Sequence, residues 1–227
     1  MDFNIVQVIF MVPALLFAVI MHELAHGIVA YKLGDPTPKL SGRLTFNPIP
    51  HIDPIGSILL PAILIFFKSP VLFGWAKPVP INPMNFKKLG YKAGMAITAA
   101  AGPSMNFIIA VFFGILYQIF SSDTFIGLVS STLGISFVKS IILPLLIFFK
   151  YSVMINVVLA IFNLIPIPPL DGGRVLMSLL PYHLERKLEV LEQYGFIIVV
   201  VLLFVGVLNY IILPPYIFLV NLLLGGY

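Results

Sequence analysis

Cysteine is absent from the 227 residues. That excludes disulfides, thiol nucleophiles and Cys-ligated metal sites, so any metal held by this chain must rest on His, Asp or Glu. Charge is scarce as well. Charged residues make up 10% of the chain and apolar residues 60%, whereas soluble domains carry about 25% charged residues. Too little charge remains to clothe a soluble core of this size, and the soluble globular class is excluded. Period-2 alternation is missing from the apolar runs, which are long and continuous, so they read as helices and not as barrel strands. The N-terminus, Met1-Asp2-Phe3, has no basic stretch and no small-residue cleavage site. The first apolar run is therefore expected to stay in the mature protein. The net charge of +4 is modest, and nucleic acid is not suggested as a partner. What remains is an all-α polytopic membrane protein whose solvent is the lipid bilayer.

The chain carries no evident repeat or low-complexity tail, and it reads as a single domain over residues 1–227, with a core of residues 3–175 and C-terminal helices over 182–225. About five to six apolar segments are expected, at lengths suited to membrane helices. The first runs from Phe3 to Leu33. Pro54 to Phe67 is short, ~21 Å as a helix, and reads as a re-entrant piece that does not cross. Further runs cover Ala93–Phe120, then Phe125–Pro166 with possible breaks at Pro144 and Lys150, then Phe196–Leu224 interrupted by Pro214-Pro215. Lys32, Lys39, Arg43, Lys68, Lys77, Lys87, Lys88 and Lys92 are eight of the 13 basic residues. The positive-inside rule therefore sets residues 32–53 and 68–92 in the cytosol and the N-terminus outside. Lys139 and Lys150 fit this arrangement less well. Thr37–Asp53 is polar, turn-rich and partly alternating, and short strands at the membrane edge are expected there. Pro181–Gln193 reads as a short amphipathic interfacial helix with Leu184, Leu188 and Leu191 on one face.

The chemistry concentrates in His22-Glu23-Leu24-Ala25-His26. Two imidazoles at i and i+4 share one helix face and can grip one zinc ion, with Glu23 beside the first as a candidate general base. Two of only four histidines fall at this spacing. A polar helix–helix contact is the plain alternative, weakened because ionisable groups within a membrane helix are costly. His26 lies ~9 Å and His22 ~15 Å before Lys32 along a helix axis, so the pair sits in the bilayer nearer the cytosolic face. Catalytic zinc usually takes three protein ligands. Asp171, His51, Asp53 and Asp123 are the candidates for the third. Asp171 stands out because it follows the proline-broken Asn163–Pro169 stretch and precedes Gly172-Gly173. By spacing alone it reads equally as a ligand or as the N-cap of the next helix. His51 and Asp53 fit a turn better than a second site, and His183 reads as solvated.

His22–Gly27 (HELAHG), Ala101–Asn106 (AGPSMN) and Asn163–Gly173 (NLIPIPPLDGG) together resemble the site-2 protease family of intramembrane zinc metalloproteases. Gly42–Pro48, His51–Pro54 and Gly74–Pro80 are similar to its compact prokaryotic branch without a PDZ domain. The resemblance covers residues 22 to about 175 and implies a zinc endopeptidase that cuts the transmembrane segments of other membrane proteins. It implies one Zn2+ per chain held by His22, His26 and Asp171, Glu23 as general base, Asn163 as a substrate or oxyanion contact, and Asn106 in helix packing. It also implies a cell-membrane location with the site toward the cytosol. The extended segment Leu40–Phe46, with Leu40, Leu44 and Phe46 on one side, is expected to present an edge to which a substrate adds as a strand. A metal-ion transporter would also place His and Asp in a membrane. Glu23 is superfluous for a passing ion, however, and the chain lacks the paired inverted halves frequent in transporters.

Overall fold

The structure is a computed structural model that describes residues 5–59, 63, 66 and 75–226. Among these residues it is helical with no strand. Among the described residues, four helices are long and apolar enough to cross a membrane. They are α1 (Ile5–Leu33), α2 (Tyr91–Ser121), α4 (Ile135–Asn163) and α7 (Val207–Leu224). Between them lie α3 (Asp123–Leu133), α5 (Asp171–Leu179) and α6 (Tyr182–Phe204).

Helix α2 is the centre of the bundle, in contact with α1, α4, α5 and α7. On α1 the buried stripe runs through Ala14, Ala18, His22, His26 and Ala30. This four-residue spacing keeps one face toward α2 and α4, and its small side chains permit close approach in a setting where lipid offers no hydrophobic drive. The apolar core lies where α2, α4 and α7 meet, built on Ile109, Phe113, Phe149, Val153, Val157 and Val220. The Phe113 and Phe149 rings stand 5.6 Å apart. Outward-facing Ile108, Phe112, Ile115 and Phe218 are exposed, as side chains against lipid would be.

The polar segment between α1 and α2 folds back on itself. Lys87 N–H donates to Leu33 O at 2.9 Å. The buried Asp35 carboxylate accepts from Thr37 N–H, the Thr37 hydroxyl, Asn82 N–H and the Asn85 amide, at 2.6–3.1 Å. Burial alone would raise the Asp35 carboxyl; these hydrogen bonds outweigh burial and hold it below the usual carboxylate range. The clasp sets residues 33–37 beside 82–87. The described parts of the chain between them thus leave and return at the same end of α1. Of that segment, Pro54–Leu59 forms a π-helical turn. Residues 60–62, 64, 65 and 67 lie outside the described residues.

Several expectations need correction. No strand forms among the described residues of Thr37–Asp53. Thr37–Leu40 is a helical turn and Ile49–His51 a 3-10 turn, because Pro36, Pro38, Pro48 and Pro50 remove ladder donors and hold φ in turn values. The period-2 face over Leu40–Phe46 is not realised. Leu40 and Phe46 are 82% and 70% exposed while Arg43 is buried, donating to Pro50 O and Pro78 O. The break in the fourth apolar run falls at Gly134, whose φ of 86° suits glycine, and neither Pro144 nor Lys150 interrupts α4. The helix after Pro181 does not stop at Gln193 but continues to Phe204. Gly195 is tolerated inside it because a Cβ there would overlap Pro168 O. The last break is at Gly206, not at Pro214-Pro215.

Candidate metal centre

Helix α1 presents His22 and His26 one turn apart, with ring centroids 4.7 Å apart. Asp171 arrives from α5. The loop after α4 turns back so tightly that a Cβ on Gly172 or Gly173 would overlap backbone atoms of Leu164 or Pro168. Asp171 is the first residue of α5, and its carboxylate, instead of capping the helix, is turned to the histidines. His22 Nε2 lies 3.1 Å from Asp171 Oδ2, His26 Nε2 lies 3.3 Å from it, and the two Nε2 atoms are 3.1 Å apart. All three residues are buried. Among the described residues this is the one group of His, Asp or Glu placed to hold a metal ion.

Hydrogen bonding decides what faces the centre of this triangle. His26 Nδ1 lies 2.7 Å from Thr98 O. A carbonyl can only accept, so His26 Nδ1 carries the proton. The Asn106 amide nitrogen donates to Ala18 O at 3.1 Å, which leaves its oxygen facing His22 Nδ1 at 2.6 Å, so His22 Nδ1 carries a proton too. With both rings neutral and protonated at Nδ1, both Nε2 atoms point lone pairs at each other and at Asp171 Oδ2, and that oxygen has no hydrogen-bond donor. Three buried acceptors converging without a donor repel one another unless a cation lies between them. Zinc bonds of 2.0–2.1 Å in a tetrahedron set ligand atoms about 3.3 Å apart, close to the spacing here. The donor set and its geometry thus fit zinc.

The surroundings support this arrangement. Gly102 is packed on the pair. A Cβ there would overlap His26 Nε2 and lie 2.6 Å from His22 Nε2. Pro103 removes the N–H that would close on the carbonyl of Ala99, and the neighbouring Thr98 carbonyl is the one that receives His26. Glu23, partly buried, accepts from Val79 N–H through Oε2 at 2.9 Å. Asn163 ends α4 with its amide donating to Leu159 O at 3.0 Å, a contact within its own helix. His51 and Asp53 belong to the folded loop. His51 Nε2 lies 3.0 Å from Thr45 O, and Asp53 Oδ1 accepts from Ile55 and Gly56 N–H at 3.0 and 2.7 Å. His183 is exposed. The sequence reading missed Gly102 as a packing surface for the histidines and Val79 as the partner of Glu23. It also assigned Asn106 to packing alone. A neutral amide within an apolar helix, costly to bury without a hydrogen-bond partner, was the available signal for Asn106.

The family model described as "Peptidase family M50" matches residues 84–207. A Bacillus subtilis (strain 168) protein named "Putative zinc metalloprotease YwhC" is 38% identical over 205 residues, covering 90% of this chain and 84% of that protein. "Putative zinc metalloprotease Rip2" of Mycolicibacterium smegmatis is 29% identical over 201 residues, covering 88% of this chain and 69% of the relative. No solved structure matches the chain.

Proposed function

The chain belongs to peptidase family M50, the site-2 protease family, and on that premise we propose that this multi-pass membrane metalloprotease hydrolyses peptide bonds within the transmembrane segments of other membrane proteins. One zinc ion per chain is held by His22, His26 and Asp171. The observation that carries the reading is the convergence of two Nε2 lone pairs and Asp171 Oδ2 with no donor among them. Bound zinc supplies a Lewis acid that polarises an amide carbonyl and brings the pKa of water toward ~7.

The chain's own groups do the rest. Glu23 is the general base. Val79 N–H holds its Oε2, so the carboxylate is oriented while its other oxygen takes the proton from the attacking water and delivers it to the leaving amine. The residues between Trp75 and Asn82 that supply this contact lie in neither a helix nor a strand. Pro78 and Pro80 on either side of Val79 restrict the backbone that aims its N–H. The substrate helix must unwind before cleavage, since helical amides are engaged in their own hydrogen bonds. Asn163 contacts the unwound substrate or the oxyanion after its side chain leaves Leu159 O. The site lies on the cytosolic side of the cell membrane, in line with the basic residues of 32–92.

Glu23→Gln tests the reading. A protease keeps its zinc and loses cleavage of a transmembrane substrate reconstituted with it. Undiminished cleavage removes Glu23 from the mechanism. Retained metal flux across proteoliposomes, with no cleavage by the wild type, would favour the transporter instead.

A further inference from the structure

We propose that Asn156, on α4, is a positioning residue for the metal centre: through Asn106 it holds His22 as the Nδ1–H tautomer, with the Nε2 lone pair turned to the metal position. The inference rests on the metal-centre reading above and deepens it.

Asn156 and Asn106 are both wholly buried. The Asn156 amide nitrogen donates to Ser152 O at 2.8 Å, one turn back on α4. That carbonyl only accepts, so the Asn156 oxygen must face the other way, toward Asn106, whose amide nitrogen donates to it at 2.8 Å. The same nitrogen donates its second hydrogen to Ala18 O on α1. Both Asn106 hydrogens are then spent, and its oxygen is left for His22 Nδ1. A directed chain therefore runs from a backbone carbonyl of α4 through two amides of two helices to an imidazole of a third. Every donor and acceptor along it is determined by a main-chain carbonyl at each anchored end.

Removing Asn156 leaves one Asn106 hydrogen buried without an acceptor. The amide then gains by turning toward other partners, and His22 is released to carry its proton on Nε2, where a metal would bind. Helix α4 thus contributes twice: it ends in the loop that delivers Asp171, and at its middle it orients the ligand on α1. Burial of two amides in an apolar bundle needs a reason beyond packing, since leucine at both amide positions would fill the helix contacts without any polar desolvation.

The test uses the full chain in detergent, stripped of metal and titrated with Co2+. Asn156→Leu should weaken Co2+ affinity about tenfold and alter the visible d–d absorption of the bound ion. Asn156→Asp, neutral in this apolar setting so that its hydroxyl donates to Ser152 O, keeps an acceptor for Asn106 and should restore both. In an Asn106→Leu background, Asn156→Leu should cost nothing more, because its effect passes through Asn106. Thermal melting of the metal-free variants separates this from lost stability, which would lower the melting point without changing the spectrum. If the leucine variant does not fold, Asn156→Ser, whose hydroxyl is too short to reach Asn106, carries the same expectation. Unchanged affinity and spectrum in Asn156→Leu or Asn156→Ser, or losses that multiply in the double variant, would overturn the relay while leaving the metal centre standing. A wild-type chain that binds neither Co2+ nor Zn2+ would overturn the metal centre and the relay with it.

Discussion

Asp35 and Asp171, two of the buried carboxylates among the described residues, sit among polar partners on opposite plans. At Asp35 each carboxylate oxygen meets donors: the hydroxyl of Thr37, the Asn85 amide and main-chain N–H groups of Thr37 and Asn82. At Asp171 the neighbours of Oδ2 are two imidazole nitrogens whose protons are engaged elsewhere, on Asn106 and Thr98. The first cluster is complete in itself and holds the loop between α1 and α2. The second leaves buried acceptors facing one another, an arrangement that a cation would complete. Buried acceptors surrounded by donors are structure, whereas buried acceptors surrounded by acceptors are a binding site.

Changes that touch the second plan should cost activity, and changes to the first should cost stability. The largest effect is expected for Glu23→Gln, about 10²- to 10⁴-fold in cleavage rate, with zinc content unchanged by metal analysis. Asp171→Ala should lose zinc outright on gel filtration, and Gly102→Ala should do so almost as severely, since its methyl group would occupy space now filled by His26 Nε2 and approached by His22. Normal zinc content in Gly102→Ala would mean that α1 and α2 can separate, against the packing described here. Chelation should then lower the melting temperature of the wild type but not of Asp171→Ala. Metal at a hundred times its dissociation constant contributes about 2.7 kcal/mol to the folded state.

Asp35→Asn should leave zinc content intact and lower the melting temperature, because one amide N–H would face the N–H of Asn82; one such unmatched buried donor costs about 1–3 kcal/mol. The pH dependence has a definite sign. The Asp35 carboxyl is held below its ordinary value of 3.8 in the folded protein. Its contribution is therefore fully present above that pH and is lost as pH falls through the lowered value. A melting series downward from pH 5 should show an acid-side loss in the wild type that is smaller in Asp35→Asn. Equal losses would assign the acid sensitivity to other carboxyls.

The sequence by itself determined what depends on neighbours along the chain. Long apolar runs require helices in lipid, so α1, α2, α4 and α7 were legible, and an i, i+4 pair of histidines shares a helix face in any setting. Prolines at 36, 38, 48 and 50 were equally visible, yet the alternating residues between them suggested strands, and the missing ladder donors prevailed. The helix through Gly195 was misjudged because the glycine there answers to the Pro168 carbonyl, which lies where a Cβ would go and is distant in sequence. Asp171 could be joined to His22 and His26 only through likeness to a family, since spacing left it as good a helix cap as a ligand. The tertiary structure alone decided that its carboxylate turns to the histidines, that Gly102 lies against them, and that Asn106 and Asn156 orient His22. Those relations join residues on α1, α2, α4 and α5, and a hydrogen bond's direction is set by which acceptor the crossing helices bring within 3 Å, a distance that no pattern along one helix encodes.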